Sequence, residues 1–144
     1  MKNVSMAESY LKRAQRRLRD AQRALEESYV PDAVRYCQEC VEIAVKAVLR
    51  LVGIEYPKSH DLSAELSLFS NRFPDWFRAR IPKLAETMRL LTKTRGLAFY
   101  GDEERGLTPE ELFSYDYAKK TLEDVKLYLD LCLKLLEKWK AEKQ

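Results

Sequence analysis

An all-α fold, an antiparallel up-down bundle of four long helices plus one short helix, is what this sequence predicts. Three observations predict it. Apolar residues recur at helical spacing over four long stretches. Turn formers are scarce: four Gly and five Pro in 144 residues are too few for a β-rich chain. Short connections join the stretches, which favours antiparallel neighbours. A hydrophobic content of 46% supplies one core, so residues 1–144 are expected to form a single domain.

The first helix is expected over residues 5–28. Ala7, Tyr10, Leu11, Ala14, Leu18, Ala21 and Leu25 form its apolar stripe. Opposite them stand Lys12, Arg16, Arg19 and Arg23, with Arg13 and Arg17 at the flanks. Such a basic stripe could track a phosphate backbone as a nucleic-acid-binding surface. It is equally what a solvated helix face looks like, and no aromatic residues interleave it to stack on bases.

The second helix, residues 32–53, organises the rest. Val34, Cys37, Cys40, Val41, Ala44, Val45, Ala47, Val48, Leu51 and Val52 cover well over half its circumference. Arg35, Gln38, Glu39, Glu42 and Lys46 are confined to a narrow polar strip. A helix so patterned is buried by several neighbours, and every other helix is expected to pack on it. Pro31 marks its start and Gly53 its C-terminal cap.

After a loop broken by Pro57, His60-Asp61-Leu62 is expected to open a short third helix reaching about residue 71, with Ser59 or Asp61 as its cap. Pro82 sets the start of the next long helix, over residues 81–98. Ile81, Leu84, Ala85, Met88 and Leu91 form one apolar face, and Arg95 falls on that face one turn later. Leu90 and Leu97 give a second apolar strip, which a second copy of the chain could cover in a homodimer. A turn-rich connection over residues 99–108 leads to a last helix over residues 116–141, with residues 140–144 as a frayed end.

Charge and motifs exclude several functions. A formal net charge of +3 permits an anionic partner without demanding one. No apolar run approaches the roughly 18–20 residues of a membrane span, and the N-terminus lacks a signal-peptide centre, so a soluble cytoplasmic protein is expected. Cys37 and Cys40 spell C-x-x-C inside the most buried helix, where thiols pack rather than react. The further possible metal ligands, Cys132 and the lone His60, complete no zinc set, so no metal or cofactor is expected. The acidic turn after Gly101 is no phosphate loop. Arg95 is the remaining candidate: a permanent charge on an inward face is costly unless paired or opened to a wet cleft.

The ordered combination of residues 33–49, AVRYCQECVEIAVKAVL, then Gly53, His60-Asp61-Leu62 and Arg95, resembles the small prokaryotic, especially archaeal, HEPN-domain family. The first segment is similar to the family helix with a Q-x-x-x-E-x-x-x-K-A-x-L pattern, and Arg95 to the start of its R-x4-6-H motif. That resemblance implies an antiparallel bundle that dimerises, with the arginine motifs of two copies beside a shared cleft. In active members the cleft cuts RNA without metal; histidine assists attack by the 2′-oxygen and arginine holds the phosphate. Many members are toxins paired with a nucleotidyltransferase antitoxin, and others serve as binding partners.

This chain departs from the motif. After four intervening residues the histidine position holds Tyr100, and Asp102 stands where some members carry a tyrosine that receives adenylate. With an ordinary phenol pKa near 10, about one tyrosine in a thousand is ionised at neutral pH. The expectation is therefore a homodimeric HEPN-type module that binds a nucleotide, RNA or a nucleotidyltransferase partner, with weak or no catalysis. The alternative is a toxin-like, metal-independent endoribonuclease using Arg95 and Tyr100 at the dimer cleft. An early helix end at Gly96 or Gly101 would let Tyr100 swing back toward Arg95.

Overall fold

The structure, a computed structural model, describes residues 2–143. Seven helices account for most of these residues: α1 (Lys2–Glu26), α2 (Val30–Leu51), α3 (Ser63–Leu68), α4 (Asp75–Arg78), α5 (Ile81–Tyr100), α6 (Pro109–Leu112) and α7 (Tyr115–Lys143). A single 3-10 turn, Ser70–Arg72, follows α3. Among the described residues there is no strand, and one isolated β-bridge joins Asp102 to Leu107. The last helix is regular through Lys143 rather than frayed from residue 140; Gln144 lies outside the described residues.

The four long helices alternate in direction. A three-residue link returns α2 along α1. Glu8 near the start of α1 meets Lys140 near the end of α7, 3.4 Å apart, so α7 also runs antiparallel to α1. Arg35 reaches Phe99 while Gln38 reaches Arg95, which makes α2 and α5 antiparallel. At the centre, α2 packs against α1, α7 and α5, and thirteen of its residues are buried. The short α3 departs from the expectation that every helix packs on α2: it rests on α5 instead. Its Leu66 and the preceding Leu62 are fully buried, and the Leu62 N–H points at Met88 Sδ, 3.4 Å away.

Chain reversals are set by left-handed residues at two helix ends. Gly53, at φ 81°, closes α2 with Gly53 N–H on the Arg50 carbonyl and Ile54 N–H on the Leu49 carbonyl. Ser28 adopts the same conformation after α1, with Ser28 bonded to Leu25 and Tyr29 to Ala24. The helix expected to open at His60 starts at Ser63, because residues 59–61 form hydrogen-bonded turns: Ser59 Oγ accepts from Asp61 N–H, and Asp61 Oδ1 from Ser63 N–H. The helix expected over residues 81–98, with Gly96 or Gly101 as an early end, runs to Tyr100 and is capped at Gly101. Gly96 has no positive φ, whereas Gly101 sits at φ 73° with the Leu107 carbonyl where a Cβ would stand.

No helix among the described residues is long and apolar enough to cross a membrane. Cys37, Cys40 and Cys132 are free thiols in the core. Burial pushes the Cys40 thiol up to about 12 and the other two higher still, so they pack as small hydrophobes.

Candidate functional site

The polar strip of α2 is not a solvent face. Gln38 is only 2% exposed, and it needs partners for both ends of its amide. Its Oε1 accepts from Arg95 Nη1 at 2.9 Å, and its Nε2 donates to Glu42 Oε1 at 2.8 Å, one turn along α2. Glu42 Oε1 also takes His60 Nδ1 at 2.8 Å, and Lys46 Nζ donates to Glu42 Oε2 at 2.9 Å. A continuous polar chain therefore runs from Arg95 on α5, through α2, to the loop before α3.

Each member is positioned by something buried. Arg95 stands one turn beyond Leu91, which is fully buried among the core residues. The His60 ring is half-exposed, but its backbone is anchored beside the buried Leu62, and its carbonyl accepts from Thr92 Oγ1 at 3.3 Å. Burial of Glu42 opposes its ionisation, yet hydrogen bonds from Lys46, Gln38 and His60 outweigh this and hold its carboxyl below the ordinary range.

This chain of groups edges an open cavity of about 280 Å³. Arg95, Lys46, His60 and Glu42 line it together with Arg13, Tyr10 and Ile43. Glu39 completes the wall; its Oε2 is buried, 3.8 Å from Arg35 Nη1, and makes no hydrogen bond among the described residues. Three cations face two carboxylates, one positive charge in excess before His60 is counted. Among the described residues no carboxylate lies within 4.0 Å of Arg95; its partner is a neutral amide, which fixes the guanidinium without cancelling its charge. A small cavity with an oriented, uncompensated guanidinium can hold an oxyanion.

The other sequence candidates lie elsewhere. Tyr100 is 71% exposed, about 140° round α5 from Arg95, and within one chain it does not line the cavity. It stacks on Phe99 instead, ring centroids 5.6 Å apart. Lys12, Arg16, Arg19 and Arg23 are all exposed; Arg16 lies 3.4 Å from Asp20 and Arg23 lies 3.7 Å from Glu27. Leu90 is 50% exposed, whereas Leu97 packs partly against the core, so the expected second strip of α5 is divided between solvent and interior. Sequence reasoning places His60 at the start of the third helix, with Ser59 or Asp61 as its cap, and gives the narrow polar strip of α2 no partners. The signal that could have joined them is the similarity of Ser59-His60-Asp61-Leu62 to a family motif, since spacing alone does not bring residues 38, 42, 60 and 95 together.

Comparison with known proteins identifies a family. A family model described as HEPN domain matches residues 7–137. A protein named "Putative toxin MJ1304", from Methanocaldococcus jannaschii, is 27% identical over 146 residues, spanning 99% of this chain and 95% of that relative. No solved structure matches the chain.

Proposed function

This chain belongs to the HEPN domain family, and we propose that it is a homodimeric module that binds RNA or a nucleotide through the Arg95 cavity, with weak or no catalysis. The pairing of Arg95 with Gln38 carries the proposal. A charge on an inward helix face is held by a neutral partner and opened to a cavity that also receives Arg13 and Lys46. A phosphate group supplies the missing counter-charge, and arginine meets it with a planar two-pronged fork. Dimerisation through the strip that begins at Leu90, with Leu97 at its inner edge, would bring two such cavities into one particle of twice 16.9 kDa, a mass that sedimentation at micromolar concentration checks. Docking of a nucleotidyltransferase protein is the companion proposal and rests on the family alone.

The test is binding of labelled single-stranded RNA across a salt series. Wild type is expected to bind with affinity that falls as salt rises. Arg95→Ala should lose about ten- to a hundred-fold, the range for a hydrogen-bonded charge, and Arg95→Lys should recover only part of it. Unchanged affinity in Arg95→Ala would sink the proposal.

One observation favours a second reading, a toxin-like metal-independent endoribonuclease. His60, fixed by Glu42 at Nδ1, stands on the same cavity as Arg95, and no hydrogen bond to its Nε2 is seen among the described residues. In that reading a strand phosphate sits at Arg95 while His60, or Tyr100 of a second copy, takes the 2′-hydroxyl proton. The 2′-oxygen bonds to phosphorus, the bond to the 5′-oxygen breaks, and that oxygen leaves with a proton, so nothing else is consumed. The name of the Methanocaldococcus relative, "Putative toxin MJ1304", fits such chemistry. Strand cleavage by wild type in EDTA, abolished in His60→Asn or in Tyr100→Phe, would establish it and say which residue acts.

A further inference from the structure

One helical turn beyond the cavity, a second connection joins α2 to α5. Arg35 precedes Gln38 by three residues and Glu39 by four, so all three share one face of α2. Phe99 follows Arg95 by four residues and so shares its face of α5, about 6 Å further on. The Arg35 guanidinium carbon lies 4.3 Å from the Phe99 ring centroid and 5.0 Å from that of Tyr36. Tyr100 stacks on Phe99 at 28° between ring planes, and both rings are substantially exposed. Two adjacent aromatic rings are thus exposed at a helix end and backed by a cation. Their flat faces and the guanidinium behind them are the elements with which proteins hold unpaired bases.

We propose that the Arg35–Phe99–Tyr100 ladder is a stacking platform for an unpaired nucleobase. It rests on the phosphate-binding reading of the Arg95 cavity: phosphate at Arg95 and a base on the exposed face of Tyr100 are contacts of one bound ligand. Arg95 and Phe99 stand one helical turn apart on the same face of α5, and the stacked Phe99 ring carries the ladder on to Tyr100. Tyr100 thereby acquires a role for its ring rather than its hydroxyl. The same chemistry serves a single-stranded RNA or a free nucleotide, and competition of labelled RNA by a mononucleotide separates the two sources.

The experiment compares a short single-stranded oligoribonucleotide with an abasic strand of the same length, on wild type, Tyr100→Ala and Tyr100→Phe. Wild type should bind the base-containing strand about ten-fold more tightly than the abasic one. Tyr100→Ala should erase that difference by weakening only the base-containing strand, and Tyr100→Phe should keep it. Equal binding of the two strands by wild type would overturn the platform while leaving the phosphate seat standing. Binding of neither strand would overturn the seat and the platform with it. A loss in Tyr100→Phe as large as in Tyr100→Ala would also overturn it, since the hydroxyl would then be what matters. So would conversion of a dimer to a monomer by Tyr100→Ala, because a second copy would then cover the rings.

Discussion

The outer face of α1 and the polar strip of α2 carry similar residue types and end in opposite situations. On α1, Lys12, Arg16, Arg19 and Arg23 are exposed, and the acids that Arg16 and Arg23 approach, Asp20 and Glu27, are only four residues further along the chain. On α2, Gln38 and Glu42 are tied to Arg95 and His60, which arrive from 57 and 18 residues away. Only the second arrangement constrains tertiary structure, since breaking it leaves buried groups without partners. A count of charges on a helix face therefore says little about where a site lies. What distinguishes the α2 strip is that its polar atoms are met by side chains from other elements.

The sharpest way to break the comparison is to remove one carboxylate from each face. Glu42→Ala strips a common acceptor from Lys46, His60 and the buried Gln38 amide, and should cost about 2–3 kcal/mol of stability. Asp20→Ala severs Arg16 and Arg17 from their acid on α1, and should cost under about 1 kcal/mol because those charges are well solvated. Denaturant unfolding of the two variants measures both. Equal losses would mean that the α2 network is no better coupled than a surface ion pair.

Acid provides a graded version of the same contrast. The Glu42 carboxyl is held below its ordinary range in the folded protein, so its contribution is fully present above the unfolded pKa and is lost as pH falls through the folded one. Thermal melts of wild type and Glu42→Gln should therefore converge as pH drops from about 5 toward 3, with wild type the more stable at the upper end. A gap that widens on acidification would give the linkage the wrong sign.

How much of this could be read in advance differs between the fold and the site. The 3.6-residue period identified the four long helices, and Gly53 and Pro82 marked an end and a beginning, because these are local properties of the chain. Arg95 stood out because a charge on an apolar face is an anomaly visible in one helix. Its partner did not, since Gln38 is ordinary on a polar strip until α5 is laid against α2. Residues 59–61 could be read as a helix start because cap and turn residues are the same types; what chooses between them is the burial of Leu62 against Met88. Gly96 and Gly101 both read as possible ends of α5 in the sequence. A glycine inside a helix is free to break it but is not obliged to, and the chain stops where the Leu107 carbonyl leaves no room for a side chain, at Gly101.

The smallest effect expected is on α1, and it decides whether the basic stripe touches nucleic acid at all. Arg19 has no ion pair within 4.0 Å among the described residues, so Arg19→Gln removes a charge with little cost to the fold, under about 0.5 kcal/mol. Every phosphate that a variant no longer neutralises should lower the slope of log affinity against log salt by about 0.7 on a single strand. If the stripe tracks the backbone beside the Arg95 cavity, replacing Lys12, Arg16, Arg19 and Arg23 together by Gln should flatten the slope by two to three of its roughly 0.7 steps, while the difference between base-containing and abasic strands persists. An unchanged slope would assign the stripe to solvation, and leave the Arg95 cavity as the anion-binding surface. Arg13 sharpens the reading, because it sits on the same helix yet lines the cavity. Arg13→Gln should then weaken RNA binding more than Arg19→Gln, although the two positions are equivalent by residue type and lie only six residues apart.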